Sequence, residues 1–197
     1  MHESFGWMGE MHVKNISIAG PKFVDPARHS DDRGWMSELW NSVGLPRLGL
    51  DVSFTQDSMA YNRNMGTIRG LHFQVPPFDQ GKLIICVSGS IFDIALDMRV
   101  GSPTFGQHLS VTLSSRNSRQ FWVPSGFAHG YCSLEPDTKV LYKLTKPYEQ
   151  DAVGGILWND PALNIKWPIR VGAVFVNERD QQWPTFASFE SPFRWEN

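Results

Sequence analysis

What this 197-residue chain has little of narrows its nature before any motif does. Cysteine occurs only twice, at Cys86 and Cys132, each inside a strand-like run. That is no disulfide framework, and both read as buried thiols of a reducing compartment. No apolar run approaches the roughly 20 residues that cross a bilayer, so no membrane partner is expected. The start, Met1-His2-Glu3-Ser4, has neither a basic flank nor a following apolar core, so no signal peptide is expected and the expected location is cytoplasmic. There is no basic excess: the formal net charge of -2 argues against nucleic acid as a partner, because nothing is left over to neutralise phosphates. Internal repeats, low-complexity tracts, linkers and long amphipathic helices are also missing. One domain spanning 1–197 is expected.

What is present is aromatic and β-prone. Eight tryptophans and thirteen phenylalanines suit a fold with aromatic-lined walls. Short strand-like runs are expected at Val13–Ile18, Phe54–Ala60, around His72, at Leu83–Val87, Ser90–Met98, His108–Leu113, Gln120–Val123 and Lys139–Leu144. Turn chemistry separates them: Asp31-Asp32-Arg33-Gly34, Gly101-Ser102-Pro103-Thr104, Ser114-Ser115-Arg116-Asn117 and Asn159-Asp160-Pro161. Pro46–Leu50 and Tyr148–Val153 read as loops. Asn177 reads as the N-cap of a short helix in the tail. Even spacing of strands predicts an all-β sandwich or barrel.

The chemistry gathers around Gly66-Thr67-Ile68-Arg69-Gly70-Leu71-His72-Phe73-Gln74. Strand alternation puts Ile68, Gly70, His72 and Gln74 on one face, and a glycine beside a histidine leaves room for something other than protein. A lone histidine in an apolar strand is more often core than catalyst. A second stretch, Val123-Pro124-Ser125-Gly126-Phe127-Ala128-His129-Gly130-Tyr131, changes that balance. Its Pro-x-Gly-x-x-His pattern resembles the second signature of the cupin barrels, and His72 falls where the first should be. Two such histidines are expected to face one barrel interior. Asp93 and Asp97 share a strand face and are expected in solvent or bonded to an arginine such as Arg99.

Taken with these residues, the sequence resembles the dTDP-4-dehydrorhamnose 3,5-epimerase family from about Asp31 to Pro184. The matching blocks are Asp-Asp-Arg-Gly at 31–34, Arg-Gly-Leu-His-Phe-Gln at 69–74, Gln-Gly-Lys-Leu at 80–83, Ser-Pro-Thr-Phe-Gly at 102–106, Pro-Ser-Gly-Phe-Ala-His-Gly at 124–130, Leu-Tyr-Lys at 141–143 and Trp-Asn-Asp-Pro at 158–161. The resemblance implies a cupin-like β-jelly roll with a short helical C-terminal tail. It also implies a homodimer in which an N-terminal arm (about 1–55) is exchanged between subunits, beside a barrel at about 56–170 and a tail at 171–197. The implied substrate is a nucleotide-diphosphate 4-keto-6-deoxy sugar, inverted at C3 and/or C5 through an enolate. His72 matches the family's base, Asp180 its carboxylate partner, Lys82 the cation near the enolate oxygen and Tyr142 the acid on the opposite face. Arg69 matches the diphosphate grip, and His129 a sugar contact. Arg33, Glu38 and Gln56 match the nucleotide end, and Tyr148 lines the site or packs.

Asp160 is the rival to Asp180, but it precedes a proline and reads as turn chemistry. His29, Met36 and Ser58 depart from the family pattern near the nucleotide. No cofactor is implied. A metal-dependent cupin supplies His-x-His, and here Gln74 stands in place of the second histidine. A mono-epimerase, a relative using another nucleotide sugar, and a metal-dependent or non-catalytic binding cupin are the alternative readings.

Overall fold

The structure, a computed structural model, describes residues 11–169 and 174–196. Met1-His2-Glu3-Ser4 and the start of the expected tail lie outside the described residues. In chain order the elements are β1 (His12–Asn15), β2 (Lys22–Asp25), β3 (His29–Asp31), β4 (Gly34–Met36), α1 (Gly44–Arg47), β5 (Gln56–Asn62), β6 (Ile68–Gln74), β7 (Lys82–Ser88), β8 (Ser90–Asp97), β9 (His108–Ser114), β10 (Gln120–Val123), β11 (Phe127–Ser133), β12 (Thr138–Leu144), β13 (Val153–Gly155) and α2 (Glu178–Gln181). One sheet runs β1-β2-β10-β7-β12-β5 and the other β13-β6-β11-β8-β9, while β3 and β4 form a separate hairpin. This is the expected cupin-like jelly roll with a short helical tail.

The packing explains why the strand patterns looked imperfect. Between the sheets, Ile84, Phe121 and Val140 meet Ile91, Ala95, Phe127 and Tyr131. The second sheet is covered on its other face as well, where Leu71, Phe73, Ile94, Leu96 and Ala128 pack with Ile156, Leu163 and Phe193. A strand buried on both faces has no polar side to alternate with, so Ile91–Met98 reads as nearly continuous apolar sequence. Each fully buried Leu, Ile or Phe there contributes roughly 1.5–3 kcal/mol. The first sheet is covered outside by Leu45 and Leu50 of the arm, against Val24, Leu83 and Trp122. Pro46 lies inside α1 rather than in a loop. It sits in the first turn, where a missing N–H costs nothing. The first strand is also shorter than expected, ending at Asn15 where its pairing with Lys22 closes the hairpin.

Candidate active site

Strand β6 carries a kink that aims the site. His129 pairs with His72, but Tyr131 pairs with Arg69, so three steps on β6 match two on β11. The extra residue is a β-bulge, and it inverts the alternation beyond it. Arg69 and His72, which strict alternation sends to opposite faces, therefore both line one cavity of about 330 Å³. The expected shared face of Ile68, Gly70, His72 and Gln74 is thus broken at the bulge. Gly70 is required there: its φ is +141°, and an added Cβ would lie 2.5 Å from the Gly130 Cα. The space beside the glycine is filled by the neighbouring strand rather than left for a ligand, which corrects the sequence expectation.

The cavity's first wall is a histidine–carboxylate pair. His72 Nε2 lies 2.6 Å from Asp180 Oδ1. Asp180 is fully buried on α2, and Asn177 caps that helix by accepting from the Asp180 N–H at 2.7 Å. The Gly70 N–H donates to Asp180 Oδ2 at 3.1 Å, and Trp183 Nε1 donates to Oδ1 at 3.3 Å. Burial pushes the Asp180 carboxyl up, but the bonds from His72, Gly70 and Trp183 outweigh it and hold it below the usual range. Burial pushes the His72 pKa down, offset in part by Asp180. His72 is therefore neutral at neutral pH. Since an ionised carboxylate only accepts, the proton sits on Nε2 and Nδ1 keeps its lone pair. Lys82 Nζ donates to the His72 carbonyl at 3.1 Å, and burial pushes its ammonium down to about 8 against the pull of Asp93.

The opposite wall comes from the first sheet. Tyr142 on β12 lies edge-on to His129, with ring centroids 6.0 Å apart. Burial raises the Tyr142 phenol well above 10. His129 Nε2 lies 2.8 Å from Asp93 Oδ1, and both residues are buried. Contrary to the sequence expectation, Asp93 is neither solvent-exposed nor bonded to an arginine; Asp97 alone of the two takes Arg99, at 2.7 Å. Asp93 was missed as a site residue. The available signal was a carboxylate inside an otherwise apolar run, Ile91-Phe92-Asp93-Ile94-Ala95-Leu96. Burial raises its pKa, and its Oδ2 has no hydrogen-bond partner among the described residues.

Eight of the ten residues singled out from the sequence line this one cavity: His72, Asp180, Tyr142, Lys82, Gln56, Arg69, His129 and Tyr148. Ser58 lines it too and accepts from Gln56 Nε2 at 2.9 Å. Arg33 and Glu38 do not join them. Arg33 is almost fully exposed at the hairpin tip and binds Asp31, and Glu38 accepts from Asn41. His29 and Met36 pair across the same hairpin. Asp160 is spent on its turn, accepting from the Ala162 N–H at 2.9 Å and the Phe186 N–H at 2.7 Å. Gln74 pins two loops: it donates to the Phe78 and Pro147 carbonyls and accepts from the Glu149 N–H. Among the described residues, no cluster of three or more His, Cys, Asp or Glu could hold a metal.

The family model described as dTDP-4-dehydrorhamnose 3,5-epimerase matches residues 15–188. A dTDP-4-dehydrorhamnose 3,5-epimerase from Sinorhizobium fredii is 40% identical over 188 residues, covering 95% of this chain and 96% of that protein. The crystal structure of dTDP-6-deoxy-D-glucose-3,5-epimerase from Legionella pneumophila, in complex with dTDP-4-keto-L-rhamnose, superposes with a TM-score of 0.89. It is 35% identical and covers 95% of this chain and 100% of its own. A 3'-monoepimerase from Streptomyces bikiniensis, in complex with dTDP-quinovose, is 30% identical with a TM-score of 0.82, over 90% of this chain and 88% of its own. The chain belongs to the dTDP-4-dehydrorhamnose 3,5-epimerase family.

Proposed function

We propose that the protein is an isomerase that inverts C3 and C5 of a dTDP-4-keto-6-deoxyhexose without a cofactor. The observation that carries this reading is His72, 2.6 Å from Asp180, lining one cavity together with Tyr142 and Lys82. The C4 ketone acidifies the hydrogens on C3 and C5. His72 takes one of these as a proton, and the electron pair left on carbon moves into the enolate, whose oxygen the Lys82 ammonium stabilises. Asp180 favours the imidazolium that results. Tyr142 then breaks its O–H bond and delivers that proton to the opposite face of the carbon, inverting it. Arg69 grips the diphosphate, because a guanidinium matches phosphate oxygens. His129 holds the sugar, and Gln56 and Tyr148 hold the nucleotide end.

Arg33 and Glu38 do not line the cavity of their own chain, which supports a homodimer whose arm carries them to the partner's site. The buried Cys86 and Cys132, with thiols pushed up to about 11 and about 12 by burial, suit a reducing, cytoplasmic setting. Gln74, bonded to backbone, stands where a metal-dependent cupin has its second histidine, so that part of the ligand set is not supplied. The test is incubation with dTDP-4-keto-6-deoxyglucose in deuterated water. Deuterium at both C3 and C5 of an inverted product is the expected result; label at one carbon means a mono-epimerase. A stoichiometric transition metal whose removal abolishes turnover would overturn the reading.

A further inference from the structure

Tyr148 stands half-exposed on the rim of the cavity, in a run, Lys146-Pro147-Tyr148-Glu149, that belongs to no strand or helix. Loops of this kind are ordinarily among the more mobile parts of a protein. Here three glutamine side chains take up its main chain. Gln80 Nε2 donates to the Lys146 carbonyl at 2.6 Å and to the Pro147 carbonyl at 2.9 Å. Gln74 Nε2 donates to the same Pro147 carbonyl at 3.3 Å, and Gln74 Oε1 accepts from the Glu149 N–H at 2.9 Å. Gln56 Oε1 accepts from the Tyr148 N–H at 2.8 Å. Pro147 adds a fixed φ. By contrast, the Tyr148 side chain makes no hydrogen bond and no ring contact among the described residues.

The anchors come from both sheets: Gln56 opens β5, Gln74 closes β6 and Gln80 leads into β7. Gln74 and Gln80 are buried. A glutamine amide has two hydrogens to donate. Gln74 gives one to Pro147 and the other to the Phe78 carbonyl, at 2.6 Å. It lines the cavity, yet its amide has no hydrogen left for a ligand. The main chain of the loop is held from three strands, while the ring it carries is left open.

Resting on the assignment of Tyr148 to the nucleotide end, we propose that Gln74 and Gln80 are positioning residues for Tyr148, fixing its main chain so that the ring is in place on the rim before the nucleotide arrives. The loop is then ordered on folding rather than on binding, and preorganisation of this kind strengthens affinity.

Titration calorimetry with dTDP tests this. It reads affinity apart from the number of competent sites, so partial loss of folded protein lowers only the stoichiometry. Tyr148→Ala removes the ring, and loss of a stacking aromatic predicts a Kd weaker by about 10- to 100-fold. Gln74→Leu keeps the bulk and removes the amide. It should weaken Kd by about tenfold, and in the Tyr148→Ala background it should change Kd no further, because it acts through the ring. Gln80→Leu should behave the same way, and it carries the test if Gln74→Leu does not fold. If either glutamine variant binds dTDP as wild type does while Tyr148→Ala binds weakly, or if its effect adds to that of Tyr148→Ala, the inference is wrong and Tyr148 keeps its role. If Tyr148→Ala binds dTDP as tightly as wild type, the nucleotide-end assignment falls and takes this inference with it.

Discussion

Two histidine–carboxylate pairs stand side by side on neighbouring strands, His72–Asp180 and His129–Asp93, and they have opposite electrostatics. In the first, the carboxylate collects three donors and its pKa is lowered, while its histidine keeps a quarter of its side chain open to the cavity, at 23% exposure. In the second, the carboxyl pairs with His129, its Oδ2 has no hydrogen-bond partner among the described residues, its pKa is raised, and its histidine is only 4% exposed. In the proposed mechanism the same two residue types make a base in one place and a buried wall in the other. The difference comes from how many hydrogen bonds offset burial, since burial alone raises a carboxyl and each donor to its charged form lowers it.

The largest test of that contrast is His72→Ala. Loss of a general base costs about 10²–10⁴-fold or more in turnover, with the fold intact by circular dichroism because His72 packs little apolar surface. A variant that still turns over at the wild-type rate would move the base elsewhere.

Next comes the carboxylate exchange. Asp180→Asn is expected to slow kcat clearly more than Asp93→Asn, because only Asp180 stabilises an imidazolium that forms during the reaction. If Asp180→Asn behaves as wild type while Asp160→Asn is dead, the wrong carboxylate has been assigned.

The pH profile of kcat/KM sharpens the picture further. His72 must be neutral, and its pKa is lowered, so the acid limb should lie below the usual histidine value of about 6.5. Lys82 must be charged, so the alkaline limb should fall near its pKa of about 8. Lys82→Arg, charged at all accessible pH, should remove that limb. An alkaline limb unchanged in Lys82→Arg would sink the assignment.

The smallest effect is on stability, and it differs in sign between the two pairs. Asp180, lowered in the fold, contributes stability that is full above its unfolded pKa and lost as pH falls through the folded one. Asp93, raised in the fold, does the reverse: between its unfolded and folded pKa values stability falls as pH rises. Urea midpoints between about pH 3 and 7 should therefore rise less steeply with pH in Asp180→Asn than in wild type, and more steeply in Asp93→Asn. Parallel curves for the two variants would mean that the pairs are electrostatically alike.

The sequence by itself determined the strand spacing, the turn chemistry, the cap at Asn177 and the residue types gathered in the cavity. Each of these rests on local rules: two-residue alternation, proline and glycine punctuation, and the blocks shared with the epimerase family. Tertiary structure alone decided the rest. The bulge on β6 brings Arg69 to the His72 face, yet it depends on register against β11, and register is a relation between strands that no single run records. Asp93 looked like a solvent or arginine residue because its partner His129 lies 36 positions away, and its burial comes from the first sheet packed across the β8 face it shares with Ile91 and Ala95. Asp180 and Asp160 sit in equally polar stretches. What separates them is a helix cap, a glycine N–H and a tryptophan N–H that converge on Asp180 only once the tail folds back over the barrel.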